Sequence, residues 1–208
     1  MKTIYILLIV LFACLSIYSQ EKKENANLKV LCITPDKLGA NFNFSIDNFE
    51  DFGWSVTWAG LSETVSTCQW SLPLGHVPIS VDTLIDDIDY ISYWDVIAIM
   101  PASWRTGNAY EDLLNSPKVM ALLRQANEND LIIWATCAGV RVLAAADILN
   151  GVHITGKAIF QSEYLTAGAI YLGENIPPVI DGNIITSTRG MYYHYQNTNS
   201  IINAHVLL

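Results

Sequence analysis

Cys137 is the residue best placed to do chemistry. It ends the apolar run Leu131-Ile132-Ile133-Trp134-Ala135-Thr136 and opens the small-residue segment Ala138-Gly139. An apolar strand that turns sharply into a helix is the arrangement of a nucleophile elbow. The turn lifts the side chain clear of the sheet edge, and it needs small neighbours because the backbone there is crowded. Amide groups at the start of the following helix favour an anion. They stabilise a thiolate relative to a thiol of pKa about 8.5. The same spacing fits a structural cysteine at a buried strand end, and spacing alone leaves both readings standing.

Other reactive side chains carry less signal. His194 lies among Tyr192, Tyr193 and Tyr195, where it is either a substitute base or an exposed residue on a tyrosine-rich segment. His153, just after Gly151, reads as solvated. Cys32 and Cys68 read as core and connector residues. Of the six tryptophans, Trp104 is the one expected at a pocket rim. His76, His153, His194 and His205 lack metal-ligand spacing, and no CxxC pair occurs, so no metal site is expected. No cofactor is expected either. Neither a GxGxxG nor a P-loop follows the first strand, which argues against hydride transfer and kinase chemistry.

Alternating strands and helices must position these groups. Leu28 to Thr34 reads as a buried strand stopped by Pro35, and Asp95 to Met100 as another stopped by Pro101. Ala40 to Asp51 places Phe42, Ile46 and Phe49 at helical spacing, with Gly53 closing the helix. Trp54 to Trp58 alternates as a strand. Glu63 to Tyr90 is irregular, with a short strand expected around His76 to Val81 and an acidic turn at Asp86-Asp87. Ser116-Pro117 supplies an N-cap and a first-turn proline for a helix reaching about Asn127. Leu131 to Thr136 is a strand, and Ala138 to about Leu149 a helix that Gly151 ends. Strands follow near Ala169–Leu172 and Asn183–Ser187, then a weak helix over His194–Asn203. This alternation predicts an α/β domain with a largely parallel sheet covered on both faces. Ligands of such sheets sit beyond the carboxyl ends of the strands. Here those ends carry Thr136-Cys137 and Ala102-Ser103.

The 208 residues suffice for one domain with a proper core. A hydrophobic fraction of 51% and a charged fraction of 15% exclude a disordered chain. The net charge of −9 argues against nucleic acid and anionic membranes as partners. Residues 1–19 read as a signal peptide: basic Lys2, the apolar run Ile4 to Tyr18, then Ser19 and Gln20. The domain then occupies 28–208, outside the cytoplasm, in a periplasmic or secreted location. Leu11-Phe12-Ala13-Cys14 also resembles a bacterial lipobox, which would make Cys14 a lipidated N-terminus, and an uncleaved anchor is a third reading. Without Cys14 the domain keeps three cysteines, so in an oxidising compartment at least one stays outside an intrachain disulfide.

Ala135-Thr136-Cys137-Ala138-Gly139 resembles the A-x-C-x-G elbow of the ThiJ/PfpI (DJ-1/PfpI) superfamily. Ala146 to Gly151 resembles that family's helix end. Ala167-Gly168-Ala169 and Ile180-Asp181-Gly182-Asn183-Ile184-Ile185-Thr186-Ser187 resemble its late hairpin. Upstream, Val56 to Gly60 and Asp95 to Pro101 resemble its second strand and the strand leading to its oxyanion turn. The resemblance spans about Leu28 to Gly190. It implies a class I glutamine amidotransferase-like fold: a three-layer, flavodoxin-like sandwich with a mostly parallel sheet and helices on both faces. It also implies a homodimer.

The resemblance assigns site roles as well. Counting back from Gly53, the family's helix glutamate falls on Asn41, whose amide can hydrogen-bond a thiolate but cannot act as a general acid or base. Where one branch has a histidine after the cysteine, this chain has Ala138. Where another has one later, Lys157 to Gln161 hold none. The Pro-Gly-Gly oxyanion turn reads Pro101-Ala102-Ser103, so the implied oxyanion donors are the N–H groups of Ser103 and Ala138. Proton-transfer partners typically contribute ~100- to 10,000-fold in rate. Their absence favours a degenerate relative that senses oxidation or binds a small ligand through Cys137. The alternative is a Cys-dependent hydrolase, glyoxalase or deglycase acting on a small carbonyl or amide.

Overall fold

The computed structural model describes residues 27–39, 42–67, 78–102, 110–188 and 194–208. The signal-like segment, Cys14, Asn41, Cys68, His76, Ser103 and Trp104 fall outside the described residues.

β-branched runs form the central strands. Strands β1 (Lys29–Ile33), β3 (Ser55–Gly60), β6 (Thr83–Leu84), β7 (Val96–Ile99), β8 (Ile132–Thr136), β11 (Val179–Asp181) and β12 (Ile184–Ser187) make one sheet in the order β11-β12-β8-β7-β1-β3-β6. Each pairing in it is parallel except β11 with β12, a hairpin turning at Gly182 with φ +58°. β1, β7 and β8, in the middle of the sheet, are almost wholly buried. Their alternate residues enter two different cores.

Leu31, Ile33, Ile97, Ile99, Ile133 and Ala135 face one core with Val119, Leu123, Val142 and Leu143. The last four belong to helices α3 (Pro117–Glu128) and α4 (Val140–Ala145). Val30, Cys32, Val96, Ala98, Ile132 and Trp134 face the other, with Phe49, Ile201 and Ala204 of helices α1 (Phe42–Asp51) and α6 (His194–Leu207). Helices thus cover both faces, as the alternation predicts.

Local signals set the helix ends. Ser116 Oγ accepts from the Val119 N–H at 3.3 Å, with Pro117 as the first helical residue. Gly53 closes α1 at φ +74°, and the Trp54 N–H reaches back to the Phe49 carbonyl at 2.9 Å.

Three features differ from the sequence expectation. The helix after Cys137 begins as a 3₁₀ turn, Cys137–Gly139, and ends at Ala145 rather than near Leu149. The Ala146 carbonyl accepts from Arg124 Nε at 2.9 Å, and Asp147 turns the chain at φ +60°. β10 (Ile170–Tyr171) pairs with a short β9 (His153–Ile154) beside the main sheet, and a further short helix, α5 (Gln161–Thr166), precedes it. β4 (Thr64–Thr67) and β5 (Ile79–Ser80) of the irregular region form a small sheet with β2 (Lys37–Leu38), and of the three only β5 falls in an expected strand.

Candidate functional site

Cys137 leaves the carboxyl end of β8 at φ +57°. A left-handed backbone costs a non-glycine residue roughly 1–2 kcal/mol and persists only where its surroundings enforce it. Below the turn, Ser187 Oγ donates to Thr136 Oγ1 at 3.0 Å. Thr136, Ala138 and Gly139 are buried on either side, while Cys137 itself is partly exposed. The chain bends sharply here from strand into helix, an elbow in the backbone at one partly exposed residue. The α-helix that follows has only six residues, so its positive end supports an anion less than a long helix would.

Two buried tyrosines flank the elbow. A Cβ placed on Gly139 would stand 3.1 Å from the Tyr110 hydroxyl, so that position has room for glycine only if the phenol stays where it is. The Tyr110 hydroxyl accepts from the Ala102 N–H at 2.8 Å and donates to the Met100 carbonyl at 3.1 Å. It therefore clamps the turn after β7, and the Ala102 N–H is committed to the protein rather than to a ligand. On the other side, the Lys157 N–H donates to the Cys137 carbonyl at 3.4 Å. Gly156 lies against the hydroxyl of Tyr164, where a Cβ would be only 2.9 Å away. Burial first, and the neighbouring Cys137 sulfur second, push both phenols well above their usual range.

The ends of β1 and β7 meet beside the elbow. Gly39 N–H donates to the Pro101 carbonyl at 2.8 Å, and a Cβ on Gly39 would lie 2.9 Å from the Ala102 carbonyl carbon and oxygen. Leu38 bridges Ala102 in the same place. The chain entering Asn41 and the chain entering Ser103 are thus drawn together, although both residues lie outside the described ones.

At the rim, the Asp36 N–H donates to Asp112 Oδ2 at 2.8 Å, tying the loop after β1 to helix α2 (Glu111–Leu114). Asp112 Oδ1 is buried without a hydrogen-bond partner. Burial above all raises this carboxyl from 3.8 to about 6, with backbone hydrogen bonds from Leu113 and Asp36 opposing and the charge and side chain of Asp36 adding to it. Because the folded-state value lies above the unfolded one, the group favours folding at low pH. That contribution is lost as pH rises from about 4 through about 6. Asp112→Asn, a mimic of the neutral acid, should match the native chain near pH 4 and gain relative stability up to pH 7. Urea midpoints of both proteins across that range check this; a difference that stays flat would refute it.

Of the sequence candidates, the structure places Cys137 and Ala138 at the elbow. His153 is exposed, with Nδ1 2.8 Å from Asp181 Oδ2, away from it. Hydrogen bonds from the His153 backbone and ring hold the Asp181 carboxyl below its usual value. His194 begins α6. Cys32 is fully buried in β1, and burial drives its thiol far up. Where the sequence shows no histidine, Lys157 approaches the elbow through its backbone, with Nζ 2.6 Å from Glu174 Oε1. Tyr110 and Tyr164 carry no local pattern, and tertiary packing alone brings them to the cysteine. Among the described residues no group of three metal-ligating side chains comes together.

The DJ-1/PfpI family profile matches residues 29–202. An uncharacterized protein of Methanocaldococcus jannaschii is 31% identical over 176 residues, covering 81% of this chain and 79% of that protein. A ThiJ/PfpI domain protein from Brachyspira murdochii superposes with a TM-score of 0.72 at 17% identity, covering 86% of this chain and 97% of the other. Drosophila melanogaster DJ-1beta superposes with a TM-score of 0.68 at 23% identity, covering 88% and 95%. At such identities these two solved structures are likenesses of fold.

Proposed function

We propose, on the premise that this chain belongs to the DJ-1/PfpI family, that it is an exported thiol protein whose Cys137 reacts with peroxide-class oxidants or binds a small electrophile. The observation that carries the reading is the left-handed backbone at Cys137, partly exposed between buried neighbours. Such strain persists only where the surroundings enforce it, and it clusters at functional sites. In the oxidative step the thiolate attacks one peroxide oxygen and the O–O bond breaks. Hydroxide, or the corresponding alkoxide, leaves, takes the proton of the oxygen now bound to sulfur, and departs as water or the alcohol. Cys137 is then a sulfenate, and the peroxide has been reduced by two electrons. Asn41 would steady the oxidised sulfur. Ala138 and Ser103 would supply N–H groups.

Iodoacetamide labelling of Cys137 against pH, peptide mass spectrometry after hydrogen peroxide, and methylglyoxal turnover together test this. Fast labelling at neutral pH, oxygen addition at Cys137 and no turnover are the expected results. Turnover that disappears in Cys137→Ala would replace the reading with the enzymatic one, in which Cys137 attacks a small carbonyl or amide. Labelling no faster than an ordinary thiol would end both. Export is proposed from residues 1–19 and Cys14. N-terminal mass spectrometry separates cleavage after Ser19 from lipidation. The homodimer is proposed on family resemblance, and sedimentation tests it.

A further inference from the structure

We infer that the Tyr164 hydroxyl is a positioning group for Cys137, donating a hydrogen bond to the sulfur when that sulfur is ionised. This rests on the reading of Cys137 as a reactive thiol. Tyr164 lies on α5 with 0% of its surface exposed, and its hydroxyl has no hydrogen-bond partner. An orphaned buried hydroxyl is destabilising, and phenylalanine would fill the same space without that cost. Packing nevertheless holds the group against the elbow. The hydroxyl rests on Gly156, where any Cβ would collide with it. Lys157, the next residue, donates its N–H to the Cys137 carbonyl. The Tyr171 ring lies 5.7 Å from the Tyr164 ring, centroid to centroid, and its own hydroxyl bonds the Gly156 carbonyl at 3.1 Å.

The second phenol at the elbow differs. Tyr110 spends its hydroxyl on Met100 and Ala102, so Tyr164 is the one with a donor to give. The sulfur is already felt at the Tyr164 oxygen, where it ranks directly after burial among the influences on the phenol. The remaining ionisable groups around Tyr164 are Glu163 and Arg141, paired at 2.7 Å, Tyr171 and Tyr110, with Lys157 and Glu174 paired just beyond Gly156.

The test compares native protein with Tyr164→Phe and Tyr164→Met. It reads the pH midpoint of iodoacetamide alkylation at Cys137 by peptide mass spectrometry, and the melting temperature. Loss of a charge-assisted hydrogen bond should move the midpoint up by about one unit and slow labelling at pH 7 by up to about tenfold. At a pH below the midpoint, where the thiol is protonated and the hydroxyl has no partner, Tyr164→Phe should also melt about 2–4 °C higher. Agreement of the two variants in the midpoint separates the hydroxyl from ring packing. A higher melting temperature with an unmoved midpoint would overturn the inference and leave the proposed function intact. A native midpoint already near 8.5 would overturn the proposed function itself, and this inference with it.

Discussion

Cys137→Gly should silence the site and yet be roughly 1 kcal/mol more stable than Cys137→Ala. Both variants lack the sulfur, so alkylation and peroxide addition at this position disappear in both. They differ in backbone. At φ +57° an alanine still bears the left-handed penalty, whereas glycine does not. Against this, glycine leaves a more flexible unfolded chain, a cost of about 0.4–1 kcal/mol, and the difference between the two terms sets the expected figure. Chemical denaturation of the two variants measures it. Equal stabilities would mean that the elbow relaxes once the thiol is removed and stores no strain.

Trp134→Ala should cost about 3–5 kcal/mol, a large share of the ~5–15 kcal/mol that a domain has to lose. Trp134 is fully buried in β8 and meets Phe49 of α1 edge-on at 6.0 Å, while Phe49 stacks on Trp54 at 5.4 Å. Emptying that space loosens the strand that aims Cys137 and the helix that follows Asn41. The urea midpoint should fall without a change in slope. Trp134→Phe separates two effects, because the Trp134 Nε1 is itself buried without a partner. Phenylalanine loses volume but also removes that unmet donor, so its cost should stay below about 2 kcal/mol. Comparable losses in both variants would argue that the indole nitrogen is bonded in solution.

Local chemistry made much of the sheet readable. Pro35 and Pro101 stop strands, Ser116-Pro117 starts a helix, and Gly53 and Gly182 mark positive-φ turns. All of these act within a few residues, which is the range a sequence pattern can report. The helix after Cys137 stops earlier than its sequence predicts, although Ala144, Ala145 and Ala146 favour continuing it. A distant side chain, Arg124, takes the Ala146 carbonyl instead and the chain turns. That turn lets the segment to Gly156 and Lys157 come back beneath the cysteine. The two tyrosines illustrate the same limit. Tyr110 reaches the elbow by bonding a strand end ten residues earlier, and Tyr164 arrives on a six-residue helix too short to show a period. Neighbours assembled by tertiary contacts leave no periodic trace.

Cys32 gives the molecule a second clock. It sits in β1 between β3 and β7, hydrogen-bonded on both edges, with no surface open to reagent. Such a site is modified only through openings that approach full unfolding. Labelling at Cys32 therefore counts global openings, while labelling at Cys137 in the same sample counts chemistry in the closed molecule. Were the chain to mature in an oxidising environment, the same enclosure would impose a deadline: the central sheet would have to close over Cys32 before any other thiol captured it.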